Sequence, residues 1–167
     1  MFVFILADAH LELLPKKLWN TPSVRKWGKI RKKPPGELIL DQTLFYSALS
    51  RYKEFRRRGR VDILHRALLT ILDSKLCKTN KVSGIVIHTI NNEVYIVNPD
   101  TRLPRHYFRF LGLMEKLLTH GIIVSRDGKK LIDRENTLQS VLEKMRVEYV
   151  IGFSRRGERV HLTDYIR

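Results

Sequence analysis

Residues 84–97 read Gly84-Ile-Val-Ile-His-Thr-Ile-Asn-Asn-Glu-Val-Tyr-Ile-Val97. Two β-branched, apolar runs flank Asn91-Asn92, residue types that tolerate the positive φ of a tight turn, so the stretch predicts a β-hairpin. Upstream, Val61 to Leu76 sets Leu64, Ala67, Leu68, Ile71 and Leu72 at helical spacing. Downstream, Asn98-Pro-Asp100 ends the second strand. Arg105 to Leu118 then predicts a further amphipathic helix, with Phe108, Leu111, Met114, Leu117 and Leu118 inward. A strand pair set between amphipathic helices is the pattern of an α/β fold.

The same alternation extends outward. Met1 to Ala7 is an apolar run that stops at Asp8 and lacks a basic leader, so it predicts a buried first strand rather than a signal or a membrane span. Glu37 to Asp41 predicts a short second strand, and Leu44 to Phe55 a helix. Asp127-Gly128-Lys129-Lys130 is a tight turn beside which Leu131-Ile132 pairs locally. Thr137, with Ser140 three residues on, starts a helix to about Met145. Val147 to Phe153 predicts a strand, Arg155-Arg156-Gly157 a turn, and Val160-His161-Leu162 a closing extended segment. With 167 residues, 43% of them hydrophobic, one domain spanning 1–167 is expected. The single Cys77 cannot form an internal disulfide, which suits a reducing compartment, and cytoplasmic residence is expected.

Thirty-two Lys and Arg stand against seventeen Asp and Glu, a net charge of +15. Such a chain is drawn to polyanions. Between Glu12 and Glu37 there are Lys16, Lys17, Arg25, Lys26, Lys29, Arg31, Lys32 and Lys33 and no acid, with Trp19 and Trp27 interleaved and Pro34-Pro35-Gly36 at the end. This predicts an irregular basic insertion at about 15–36, disordered until phosphates neutralise it, with Lys26, Arg31 and Lys32 as RNA contacts. Arg56-Arg57-Arg58-Gly59-Arg60 is a second cluster; Arg102, Arg105 and Arg109 form a third. Neither arginine cluster has the bulky apolar opposite face that an anionic membrane would require, so nucleic acid is the expected partner and a membrane is not.

Few residues offer acid–base or metal chemistry. The chain lacks a P-loop, GxGxxG, HExxH and a CxxC pair, and no metal site is expected. Asp62 and His65, i and i+3 on one helix, could share a proton or simply order a helix start. His88, between Ile87 and Thr89, fits a satisfied core histidine. The arginines are more telling. Arg102-Leu-Pro-Arg105 leads from a strand end into a helix start, with Arg109 one turn on, and guanidinium groups fanned around such a corner suit phosphates and bases.

Four blocks carry a resemblance: Arg58-Gly-Arg-Val-Asp-Ile-Leu-His65, Leu72-Asp-Ser-Lys-Leu76, Ile87-His-Thr89, and Asn98-Pro-Asp-Thr-Arg-Leu-Pro-Arg-His-Tyr-Phe-Arg-Phe-Leu-Gly-Leu-Met114. In this order they resemble the archaeal and eukaryotic small-subunit rRNA pseudouridine methyltransferases, ribosome-biogenesis factors of the knotted SPOUT superfamily. The resemblance implies a SPOUT-like, mostly parallel sheet with flanking helices. It implies RNA binding at Arg58, Arg60, Arg102, Arg105 and Arg109, with Asp62 tied to catalysis or to ordering its neighbouring arginine. The family's proline is Val61 here, and its DSPLNK is Asp73-Ser-Lys-Leu-Cys-Lys78.

In that family the glycine-rich loop and knotted helix that hold S-adenosylmethionine follow the matched blocks. Gly152-Phe-Ser-Arg-Arg-Gly157 is similar to the loop only superficially, since it follows the helix ending near 145. The expectation is therefore that the C-terminal knot and cofactor-binding segment are missing. The chain would then be a non-catalytic, cofactor-free rRNA-binding component of the small ribosomal subunit, monomeric beside neighbouring ribosomal proteins. The alternative is an active S-adenosylmethionine-dependent rRNA pseudouridine methyltransferase acting in small-subunit biogenesis.

Overall fold

The computed structural model describes residues 1–55, 58–154 and 157. Arg56, Arg57, Arg155, Arg156 and the expected closing segment Val160-His161-Leu162 lie outside the described residues.

Among the described residues five strands form one sheet: β1 (Phe2–Ala9), β2 (Val82–Thr89), β3 (Val94–Val97), β4 (Ile122–Val124) and β5 (Lys130–Glu135), in the spatial order β1-β2-β3-β5-β4. The helices that accompany it are α1 (Pro22–Arg31), α2 (Gln42–Leu49), α3 (Val61–Asp73), the short α4 (Lys75–Lys78), α5 (Tyr107–His120) and α6 (Leu138–Lys144). The hairpin is β2–β3, with Val86 opposite Ile96 and Asn92 at φ 60° in its turn. The fold is α/β as expected, but the sheet is mixed rather than mostly parallel. Only β1–β2 runs parallel; β2–β3, β3–β5 and β5–β4 are antiparallel. The tight turns from β2 to β3 and from β4 to β5 can join only antiparallel neighbours. The long crossover from β1 to β2 allows a parallel pair, and β5 reaches β3 antiparallel after the excursion through α5 and β4.

The sheet buries both faces. Ile85, Ile87, Tyr95, Val97 and Ile132 point toward α3 and α5, meeting Leu64, Leu68, Phe110, Leu111, Met114 and Leu117 in the main core. The alternate residues Val86 and Val94 meet Val141 of α6, with Val3, Ile5, Ile96 and Met145 around them. This period-two division follows from strand geometry. Thr137 caps α6 by accepting from the Ser140 amide at 3.1 Å, as the sequence spacing implied.

The stretch 15–36 is not an irregular loop. It forms a 3-10 turn at Lys16–Leu18, the ten-residue α1 and another 3-10 turn at Pro35–Glu37. With α2 it builds a second core of Leu14, Leu18, Val24, Leu38, Leu40, Phe45, Ala48, Leu49 and Phe55. The apolar residues are few, but long-range contacts order the segment. Glu115 of α5 is 2% exposed and accepts from Arg31 at 3.1 Å and from Lys33 at 2.7 Å.

Three further local expectations fail. Glu37 to Asp41 is no strand; Ile39 makes a single bridge to Leu13. Val147 to Phe153 has no strand partner among the described residues, and Tyr149, Val150, Ile151 and Phe153 are exposed there. Without a neighbouring ladder to satisfy its amides, a β-prone sequence does not become a strand. Phe108, expected inward on α5, is 43% exposed at the seam with α1.

Candidate nucleic-acid interface

The two arginine blocks meet across α3 and α5. Arg58, Gly59 and Arg60 lead into α3, and Arg102 to His106 lead into α5. Gly59 adopts φ +75°, and a Cβ there would come within 3.0 Å of the Gln42 amide nitrogen and 3.2 Å of the Leu40 carbonyl. Only glycine fits that close approach to backbone without strain. The Gln42 amide donates to the Gly59 carbonyl at 2.8 Å, pinning the loop on α2.

Buried Asp41 links the start of α2 to that of α5. Its carboxylate accepts from the Leu44 amide at 2.9 Å, capping α2, and also from the Tyr107 hydroxyl at the first residue of α5. Burial pushes the Asp41 carboxyl up and the Tyr107 hydroxyl up, the latter reinforced by their hydrogen bond and mutual charge. His65 of α3 donates from Nε2 to the Pro104 carbonyl at 2.8 Å and stacks on Phe110 at 4.2 Å between ring centroids. His65 therefore does not pair with Asp62. It fastens the Arg102–Arg105 corner to α3.

The candidate arginines fall into two groups. Arg58 is half-buried, donates from Nε to Glu12 at 2.7 Å with a second bond to the same carboxylate, and lies over the Phe55 ring at 5.1 Å. Arg60 forms two bonds to Asp62, at 2.8 and 2.9 Å, and that pairing holds the Asp62 carboxyl below the usual range. Arg105 meets Asp73 at 2.8 Å. By contrast Arg102 and Arg109 are exposed, with no side-chain partner among the described residues. The sequence has no acid between Asp100 and Glu115, and Asp100 pairs with Lys129; Asp73 comes from α3, 32 positions from Arg105.

In the basic segment, Lys26 and Lys32 are exposed, whereas Arg31 is half-buried and engaged by Glu115. Arg31 thus joins α1 to α5, a role its local sequence did not signal. Arg66 of α3, not singled out by sequence, is exposed and borders an open groove of about 510 Å³ with Arg60, Asp62, Ile63, Ala67, Thr70 and Ile71. Its helical position relative to Asp62 was the available signal. No group of three or more potential metal ligands occurs among the described residues. No helix among them is long and apolar enough to cross a membrane.

Residues 4–167 match the family model of the EMG1/NEP1 methyltransferase. The chain belongs to that family. Among relatives of the EMG1/NEP1 family, a ribosomal RNA small subunit methyltransferase Nep1 of Staphylothermus marinus is 42% identical over 156 residues, covering 93% of this chain and 67% of that protein. The protein of the same description from Methanothrix thermoacetophila is 38% identical over 167 residues, 100% of this chain and 74% of its own length. Among solved structures, Archaeoglobus fulgidus Nep1 bound to S-adenosylhomocysteine superposes with a TM-score of 0.82 at 36% identity, over 98% of this chain and 71% of that one.

These findings overturn two expectations, a non-catalytic ribosomal component and the absence of a cofactor. The relatives named above are methyltransferases, and the solved one holds the demethylated product of the methyl donor. The family match extends to residue 167, through the stretch where the cofactor segment was expected to be missing.

Proposed function

We propose that this chain is an active member of its family, an S-adenosylmethionine-dependent methyltransferase acting on a pseudouridine of small-subunit rRNA during subunit biogenesis, in the cytoplasm and in association with the subunit precursor. The observation that carries the RNA side is the contrast among the arginines. Arg58, Arg60 and Arg105 are oriented by Glu12, Asp62 and Asp73, while Arg102 and Arg109 beside them have uncompensated charge. Fixed guanidiniums give register and geometry; free ones give phosphate affinity. Asp62 acts through Arg60, as a positioning residue.

Neither the stretch around Gly152 nor the groove on α3 fits the methyl donor. A Cβ added at Gly152 would meet nothing within 4 Å, so no close backbone cradle is built there. The groove on α3 is open and edged by Arg60 and Arg66, a lining for phosphate rather than for an enclosed adenosine.

Two measurements test the proposal. Labelled methyl transfer from S-adenosylmethionine to a small-subunit rRNA hairpin by the whole protein is expected; no transfer to any small-subunit rRNA would overturn the enzyme reading. In binding titrations, Arg102→Ala and Arg109→Ala should each flatten the dependence of log K on log salt by about one unit. Unchanged affinity and slope in both, with normal melting, would place the RNA elsewhere.

A further inference from the structure

At the seam between α1 and α5 the Phe108 ring sits 5.7 Å from Trp27, 5.8 Å from His106 and 6.2 Å from Tyr107, centroid to centroid. Trp27 is half-buried and His106 exposed, and Phe108 itself keeps 43% of its surface open. Helix α5 buries Phe110, Leu111, Met114 and Leu117, so core packing does not account for an aromatic ring at 108.

The surroundings are cationic. Arg109 follows directly, Arg105 precedes the helix start, and exposed Lys26 adjoins Trp27 on α1. A protein partner would call for a contiguous apolar patch with its charges at the rim. An exposed ring among arginines and lysines instead matches surfaces that grip phosphates while an unpaired base lies on the ring.

We propose that Phe108, supported by Trp27, is a stacking subsite for an unpaired nucleobase of the bound RNA. This rests on the RNA-binding reading above and deepens it. Arg102 and Arg109 hold the backbone, and the Phe108 ring takes a base from a loop or bulge. The face therefore distinguishes looped RNA from continuous duplex. Helix α1 belongs to the site because it props the ring.

Two hairpins with one stem test this, one carrying an unpaired loop and one with the strand fully paired, titrated against wild-type, Phe108→Leu and Phe108→Trp. Phe108→Leu should weaken binding of the looped RNA by about tenfold or more, with the salt slope and duplex affinity unchanged. Phe108→Trp should restore loop affinity. Trp27 fluorescence should change on adding looped RNA and much less on adding duplex.

Undiminished loop binding by Phe108→Leu, or equal losses for loop and duplex, would overturn the subsite. So would failure of Phe108→Trp to restore affinity while it melts like the parent. An Arg102→Ala, Arg109→Ala variant run alongside separates the two readings. If it loses affinity while Phe108→Leu does not, the RNA face stands and the stacking subsite falls. If neither variant loses affinity, the RNA face falls as well.

Discussion

Asp41 and Asp62 sit on adjoining elements and respond oppositely to acid. Asp41 is raised above its ordinary value, first by burial, and the Tyr107 hydroxyl opposes that rise. A carboxyl raised in the folded state contributes stability below its unfolded pKa and loses it as pH climbs through the folded value. Tyr107→Phe removes the opposing donor, so the variant should lose about 1–3 kcal/mol at neutral pH. The deficit should shrink toward pH 3, where a protonated Asp41 needs one donor fewer; urea melts across pH 3–7 would show it, and a deficit growing in acid would contradict the account. Asp62 is lowered, chiefly by the hydrogen bond from Arg60. Its contribution is present above the unfolded pKa and vanishes as pH falls through the depressed folded value. The pair is largely solvent-exposed, so Asp62→Asn should cost under about 1 kcal/mol at pH 7, and progressively less as the pH falls below the ordinary carboxylate range. Its larger effect should fall on RNA affinity, because Arg60 loses its orientation.

Helix α1 shares a core with α2, and a single carboxylate of α5 holds two of the basic groups at its end. Glu115→Gln would leave Arg31 and Lys33 half-buried without their charge partner, and their partial exposure of 27% and 30% keeps the cost near about 2–3 kcal/mol. Chemical denaturation measures it, and faster proteolysis within 15–36 should accompany it. Gly59→Ala should cost about 1–3 kcal/mol, since the new methyl group meets backbone and the φ is left-handed; a variant as stable as the parent would remove the constraint assigned to this turn. The β2–β3 hairpin was legible because β-branched apolar runs and Asn91-Asn92 are local signals. α1 was not, because the partner that orders its basic residues lies 84 positions from Arg31. The same holds for the arginines: Glu12 is 46 positions from Arg58, so a local count of charge could not reveal which guanidiniums are neutralised. Val147 to Phe153 shows the reverse case, a local β pattern with no described neighbour to pair with.

Over the whole molecule a net +15 makes RNA affinity steeply salt-dependent even where no base is read. Between 50 and 200 mM salt, binding to mixed RNA should fall by orders of magnitude, while the preference for looped over duplex RNA should persist; electrophoretic shifts at both ionic strengths would separate these components. The sheet also constrains the order of events during synthesis. Its parallel pairing sets Phe2 against Val82 and Leu6 against Ile87. Strand β1 must therefore wait for about eighty further residues before its partner exists. At translation rates of about 5–20 residues per second that delay is roughly 4–16 s. Throughout it Phe2-Val-Phe-Ile-Leu6 is an apolar segment without its strand partner. The nascent chain is most prone to aggregate in that interval, before Arg102, Arg105 or Arg109 has been translated.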